Sequence, residues 1–486
     1  MKQLEADIVV IAAGTAGMAA VVAAAERGAR VIAFEKGATT GGTGNMGNGL
    51  FAVGSRLQIM KQVGLTKEEA FKLFMDYTHW RVDGRLVKAY IDKSANTIDW
   101  LEKMGVEFIE PAAYFPGSQF TWHIIKPSSG VPFRGSSGAA ATMIKIMTDR
   151  AKKLGAQIFL QTPAKRILKK NGRIVGAIAE DASGEEIQAN ARAVIVATGG
   201  FGDNPEMIKK YTGYEYGHDL FSFRIPGLAG DGLRMAWEVG AMPTPMNMEI
   251  IYGTPHLENQ QQIYCTLRQP GLMVNLQGER FMNEEIMVNT TFTGNAIATQ
   301  KDRCAIAIYD EDTKKYYAES GVDFVSSVFQ VTKADKLDAE WQQALAQGNT
   351  EVFAADSLEE LARKAGINQA NLEKTVAEYN VACETGRDEL FHKKASYLRP
   401  IKRPRFYAGR VFPGAYGSLG GIKINYKTEV LDKDYEIIPG LYAAGVDACT
   451  IYGDSYVFIL PGNTMGFAVN SGRMAGENAA AYVKAP

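Results

Sequence analysis

The sequence predicts an α/β fold: a parallel sheet flanked by helices, with a second, α+β domain inserted into it. Three features predict it. Short apolar runs rich in β-branched residues recur along the chain, a Gly turn separates the first of them from an Ala-rich stretch, and the character changes near residue 245 and reverts near 411. Such runs, when bounded by turn residues, read as strands buried on both faces.

Residues 7–12 predict the first strand, and residues 15–27, mostly Ala and Val, predict a helix that Gly28 stops. Residues 30–35 predict a second strand, which completes a βαβ unit. In the turn Ala12-Ala13-Gly14-Thr15-Ala16-Gly17, Gly14 lets the backbone approach a pyrophosphate and Gly17 lets the helix pack close to the strand. The helix N-terminus then offers N–H groups to the phosphates. Glu35 follows Gly14 by 21 residues, where an acid bonds ribose hydroxyls. The turn departs from G-x-G-x-x-G at Ala12, and a methyl there is expected to require a negative φ. The unit is therefore Rossmann-like.

At 486 residues the chain is too long for one ordinary core. Hydrophobic content of 46%, charged content of 22% and a net charge of −1 fit a globular protein and make no case for nucleic acid. Cys265, Cys304, Cys383 and Cys449 form no C-x-x-C pair, which argues against a disulfide framework, zinc, an iron–sulfur cluster or c-type haem. The first apolar run is too short to span a membrane, and no other segment reaches 18 apolar residues without a charge. A cytoplasmic protein without a membrane span or targeting segment is expected.

After the second strand comes a Gly-dense loop, 37–55, whose glycines imply close backbone approach to a flat or charged group. Residues 66–105 predict helices with Trp80, Trp100 and Leu101 in the core. Residues 111–137 predict a long functional loop carrying Tyr114, His123 and Arg134, with His123 expected to be structural. A helix over 138–155 and strands and hairpins over 157–196 follow, with a hairpin turn at Lys170-Asn171-Gly172. Ala193–Ala197 predicts a buried strand entering Thr198-Gly199-Gly200, and Gly230-Asp231-Gly232 starts a short helix. Charged helices are expected over 358–383, a Gly turn at Tyr416–Gly421, and a strand from Ile438 that runs into a loop at Gly445. Pro461–Gly466 opens a final helix to about 483.

Taken together, these motifs resemble the flavoprotein family of fumarate reductases, succinate dehydrogenases and 3-ketosteroid dehydrogenases. The residues that carry the resemblance are the dinucleotide turn with Glu35-Lys36, Gly41–Gly44, Thr162-Pro163-Ala164, Ala197–Gly200, Gly230–Gly232, Gly278–Glu284, Leu441–Gly445 and Gly462–Met465. The resemblance implies FAD in a split Rossmann-like domain, 1–244 plus 411–486, and a capping domain over 245–410. It assigns to FAD binding Gly14, Ala16 and Gly17 of the turn, Glu35 and Lys36 after the second strand, and Gly42, Thr43, Gly44, Gly47 and Asn48 of the Gly-dense loop. It adds Ala164, Thr198, Gly199, Asp231, Gly445 and Asp447, and at the start of the last helix Asn463, Thr464 and Met465. No His lies in 41–49, where membrane-bound relatives attach FAD covalently, so non-covalent FAD is expected. The final helix would aim its N-terminal dipole at the flavin pyrimidine and favour negative charge there.

The chain departs from fumarate reductases where they hold two carboxylates. Ile459 stands at the place of a carboxylate-binding arginine, Tyr416–Gly421 lacks the expected histidine, and Glu285–Thr290 lacks the proton-donating arginine. A pocket without these cations suits a dicarboxylate poorly. Tyr456 resembles the tyrosine with which steroid dehydrogenases bond a substrate ketone, and Arg268 sits where a relay arginine would. With Tyr264, Tyr416, Phe458 and Ile459 the pocket reads as apolar and aromatic.

The expected activity is FAD-dependent reduction of an activated C=C bond in an uncharged or singly charged, cyclic or aromatic substrate: an enone, a steroid or a phenolic compound. Hydride would come from flavin N5, with Tyr456, Arg268 and Tyr416 as candidate catalytic residues. The reverse reaction, a dehydrogenase of the 3-ketosteroid type, stays open, as does a flavin-bearing electron-transfer subunit. No haem motif or second nucleotide turn is present, so the electrons would come from an external donor: reduced flavin, NADH or a redox protein.

Overall fold

The structure is a computed structural model that describes residues 1–128, 138–222, 226–257, 259–325 and 330–485. The chain forms two compact units. The first comprises Met1–Gly213, Arg224–Glu249 and Gly417–Pro486; the second comprises Tyr214–Phe223 and Ile250–Tyr416.

The first unit is built on a six-stranded sheet in the order Glu429–Leu431, Ile437–Ala443, Ala193–Val196, Ile8–Ile11, Val31–Phe34, Gln157–Phe159. The last five are parallel, with Val9 level with Val194 and Ile32. Ile8–Ile11, Val31–Phe34 and Ala193–Val196 are buried at every residue, which is why they read as unbroken apolar runs. Helix Thr15–Ala25 is also buried throughout, and its small side chains serve close packing. A Cβ on Gly472 or Gly476 of the final helix, Asn463–Lys484, would meet the carbonyl oxygens of Ala16 and Ala20 at 2.1 and 2.3 Å. Only glycine lets these two backbones approach so closely. The hairpin expected at 170–172 joins Ala164–Lys170 to Arg173–Glu180, with Asn171 and Gly172 at φ of 49° and 79°.

In the second unit Leu272–Asn275, Ala305–Asp310 and Phe406–Gly421 pair antiparallel. The last of these strands passes into the first unit at Gly417. The expected charged helices are Leu358–Ala365 and Gln369–Thr385. Arg280, from the 278–284 motif, is buried and bonds Glu284 at 2.7 Å and Asp388 at 2.8 Å, bracing this unit's core. Among the described residues no helix is long and apolar enough to cross a membrane.

Four expectations need correction. Trp80 is 61% exposed, at φ 57° between helices Lys67–Tyr77 and Gly84–Met104; its indole N–H bonds Asp76 and its ring rests edge-on against Phe71. Trp100 and Leu101 are buried as expected. The interval 111–137 contains a buried strand, Trp122–Ile125, that pairs with Gly49–Phe51 and Phe108–Ala112; Arg134 lies outside the described residues. Tyr416–Gly421 is the end of the strand Phe406–Gly421, with Gly420 and Gly421 at φ of 81° and 111° against Ala448-Cys449.

The fourth correction is at Ala12, which has a φ of 80°. Its amide is held by Phe34 O at 2.8 Å, and its carbonyl is covered by Gly17, where a Cβ would lie 2.0 Å away. The surroundings hold the backbone left-handed despite the methyl, at a cost of about 1–2 kcal/mol. Ala12→Gly should therefore leave the melting temperature unchanged or raise it. Ala23→Gly, inside the buried helix, should lower it by the equivalent of about 1 kcal/mol or more. Equal losses in a thermal melt would show that Ala12 is not strained.

Candidate active site

The turn at the end of the first strand is fastened by one carboxylate. Glu35 accepts the Ala13 amide on Oε2 and the Gly37 amide on Oε1, each at 2.7 Å, while Thr162 N–H donates to its carbonyl at 2.8 Å. Thr162 leads into Ala164, the first residue of its strand. Lys36 pairs with Asp231 at 3.0 Å, at the first turn of helix Asp231–Glu238, and also donates to Gly227 O. Glu35, Lys36, Ala164 and Asp231, all assigned to FAD binding, are thus joined by short links.

Gly14 has φ −68° and ψ −171°, which any residue adopts, and a Cβ there would meet nothing closer than 4.0 Å. Neither backbone strain nor protein packing calls for glycine at this position, which leaves it open to an approaching group. Gly42 opens onto the same space, its added Cβ nearest to Gly14 Cα at 3.9 Å. The hydroxyls of Thr15 and Thr43 are buried and take no partner among the described residues. Two orphaned donors beside an open Gly14–Gly42 cradle and the N-terminus of helix Thr15–Ala25 fit a pyrophosphate. Gly44 and Gly47 face the protein instead: a Cβ would meet Thr15 Oγ1 at 1.7 Å and the flexible end of Met465, Cε, at 1.9 Å. Asn48 accepts the Ala139 amide at 3.3 Å.

Asp447 is fully buried. It accepts the Thr198 amide, the Thr198 hydroxyl at 2.9 Å, and the Gly199 and Gly200 amides at 3.3 and 2.8 Å. Burial pushes its carboxyl upward against these bonds. Its carboxylate shapes the Thr198–Gly200 turn, and Gly445 N–H is fixed on Ser471 Oγ at 2.9 Å. His123 is structural: it bonds Ser55 Oγ at 2.6 Å and the Thr121 carbonyl at 3.0 Å, and burial lowers its pKa to about 4.

At the start of the final helix, Asn463 is buried, accepts Tyr90 Oη–H at 3.0 Å and donates to Val457 O at 3.1 Å. Thr464 N–H donates to Tyr456 Oη at 3.3 Å, and Thr464 Oγ1–H donates to Glu249. Tyr456 is buried against Tyr452 and Phe458, with ring centroids 5.1 and 5.7 Å away. Burial, and then the Glu249 carboxylate, push its phenol far above the ordinary range. Sequence reasoning missed Glu249. Its signal was an acid inside the apolar run Met248-Glu249-Ile250-Ile251, in a strand buried through its centre.

In the second unit Arg268 lies 4.9 Å from the Tyr252 ring and 5.1 Å from the Tyr264 ring, and donates to Tyr264 Oη at 3.3 Å. Tyr252 donates to Met287 O at 3.1 Å, and burial pushes its phenol up to about 12. Tyr416 is half-buried at the last position of this unit. The three candidate catalytic residues thus divide, Tyr456 in the first unit and Arg268 and Tyr416 in the second.

The FAD binding domain family matches residues 7–464, nearly the whole chain. The chain belongs to this family. It is 34% identical over 98% of its length to the vinyl phenol reductase of Lactiplantibacillus plantarum, covering 96% of that protein. It is 29% identical to the fumarate reductase (cytochrome) of Shewanella frigidimarina, with 98% of this chain and 77% of that protein covered. In fold it is similar to the 3-ketosteroid-Δ4-(5α)-dehydrogenase of Rhodococcus jostii RHA1, with a TM-score of 0.77, 24% identity, and 99% and 98% of the two chains covered. FAD is its cofactor, and the protein is an FAD-dependent oxidoreductase acting on the CH–CH/C=C couple.

Gly14→Val and Gly17→Ala separate cofactor space from protein packing. Gly14→Val should purify without FAD while the apoprotein melts within a few degrees of wild type, because its side chain enters the space left open. Gly17→Ala should destabilise the apoprotein itself, because its Cβ meets Ala12 O at 2.0 Å. Full flavin occupancy in Gly14→Val would overturn the placement of the pyrophosphate.

Proposed function

We propose that this oxidoreductase reduces the C=C bond of an uncharged or singly charged aromatic compound, with a vinylphenol as the leading substrate. The observation that carries the proposal is the stretch that precedes the final helix. From Ile451 to Asn463 it contains no cation, and Ile459 stands where a dicarboxylate enzyme would place arginine. Tyr456 packs on the rings of Tyr452 and Phe458, Phe458 stacks on Phe115 at 5.6 Å and meets Tyr114 at 4.6 Å, and the charge that acts on the Tyr456 phenol, Glu249, is negative. Such a surface suits an aromatic ring and leaves a dianion unpaired, at several kcal/mol per buried ion (order of magnitude). The similarity to a vinyl phenol reductase supports the same reading.

Non-covalently bound FAD supplies the hydride. The Thr464 amide fixes the Tyr456 oxygen, so that the phenol can hold a substrate oxygen or deliver a proton as charge develops on it. Arg268, held between two tyrosine rings, is the second candidate for proton delivery, with Tyr416 as a third. We read 245–410 as the capping, substrate domain and 1–244 with 411–486 as the two parts of the FAD domain. Electrons come from an external donor: reduced flavin, NADH or a redox protein. The free cysteines fit a reducing cytoplasm.

An anaerobic assay with reduced viologen tests the reading. 4-Vinylphenol should be turned over, with fumarate at least a hundredfold slower in kcat/KM; a preference for fumarate would refute the proposal. Tyr456→Phe should lower the rate with 4-vinylphenol by about 10²–10³-fold, about 2.7–4 kcal/mol of transition-state stabilisation. Lost stability should be nearer 1 kcal/mol, because a neutral hydrogen bond to the Thr464 amide disappears. A rate within threefold of wild type would make Tyr456 a packing residue.

A further inference from the structure

We propose that Glu249 is a positioning residue of the flavin site: it is the built-in counter-charge to the N-terminus of helix Asn463–Lys484, and through that terminus it sets the reduction potential of the bound FAD. The inference rests on the reading that this helix begins at the flavin.

Glu249 has no exposed surface. Burial first, and then the Glu249 carboxylate, make the buried Tyr456 and Cys449 harder to ionise. A carboxylate in such surroundings is costly unless something compensates it. Two features of the final helix contribute to that compensation. The Thr464 hydroxyl donates to Oε1, and the positive end of a 22-residue helix lies within one turn of that bond. Room for the other oxygen is provided by Gly417, where a Cβ would come within 3.3 Å of Oε2. The Tyr456 oxygen takes the Thr464 amide, so the same residue is clasped at its backbone and at its side chain. Glu249 thus spends on itself part of the field that the helix start would otherwise offer to negative charge gained on flavin reduction.

Glu249→Gln keeps an oxygen for the Thr464 hydroxyl and removes the charge. Spectroelectrochemical titration of the holoprotein should show the reduced-to-oxidised flavin ratio at a fixed poise rising at least tenfold, a positive shift of about 30 mV for a two-electron couple. Glu249→Asp, which keeps the charge, should stay within threefold of wild type. A change below twofold in Glu249→Gln overturns the proposal. So does a Glu249→Gln protein that cannot be reconstituted with FAD, since an isosteric amide would then have disturbed a structural contact. Failure of the wild-type protein to reduce 4-vinylphenol would refute the substrate reading and leave this comparison of potentials intact.

Discussion

The dinucleotide turn of the first unit depends on one carboxylate. By accepting the Ala13 and Gly37 amides, Glu35 ties the end of the first strand to the segment that follows the second. Each such charge-assisted bond is roughly twice as strong as a neutral one. Together they hold the turn in which Ala12 is left-handed and Gly17 covers its carbonyl. From this turn the helix Thr15–Ala25 starts at Gly14, which opens onto free space, with the Thr15 hydroxyl packed on Gly44. The same turn sets the level at which the final helix packs, since Gly472 and Gly476 lie against the carbonyls of Ala16 and Ala20.

The start of the final helix shows how buried charge is managed here. Asn463 closes the preceding loop through Val457 and Tyr90, and Thr464 is shared between Tyr456 and Glu249. A helix N-terminus alone would be a generic anion site. In the proposed reading, the buried acid and the ring-packed tyrosine beside it make it selective against further negative charge. The lack of cations from Ile451 to Asn463 acts in the same direction.

Much of this was legible in the sequence because the backbone demands it. Strands buried on both faces must be apolar runs, and the Asn171-Gly172 hairpin, the Gly230 helix start and the final helix carry local signals that tertiary packing does not override. What escaped depended on contacts distant in the chain. Ala12 looked tolerable only at negative φ, and the forces that hold it otherwise come from Phe34 and Gly17. Trp80 looked like core because tryptophan usually is, yet it sits on a left-handed link and bonds Asp76 from the surface. The roles of the glycines separate only in three dimensions: Gly14 faces open space, while Gly44 and Gly47 make room for Thr15 and Met465. Glu249 carried only a local signal, an acid inside an apolar run; its bond to Thr464, 215 residues away, could not be read.

The most direct test of the central claim is a single-turnover titration of the anaerobically photoreduced protein, followed by flavin absorbance and product analysis. The account predicts that one equivalent of 4-vinylphenol restores the oxidised flavin spectrum with one equivalent of 4-ethylphenol formed, while fumarate leaves the flavin reduced over the same period. Reoxidation by fumarate without reoxidation by 4-vinylphenol would contradict it.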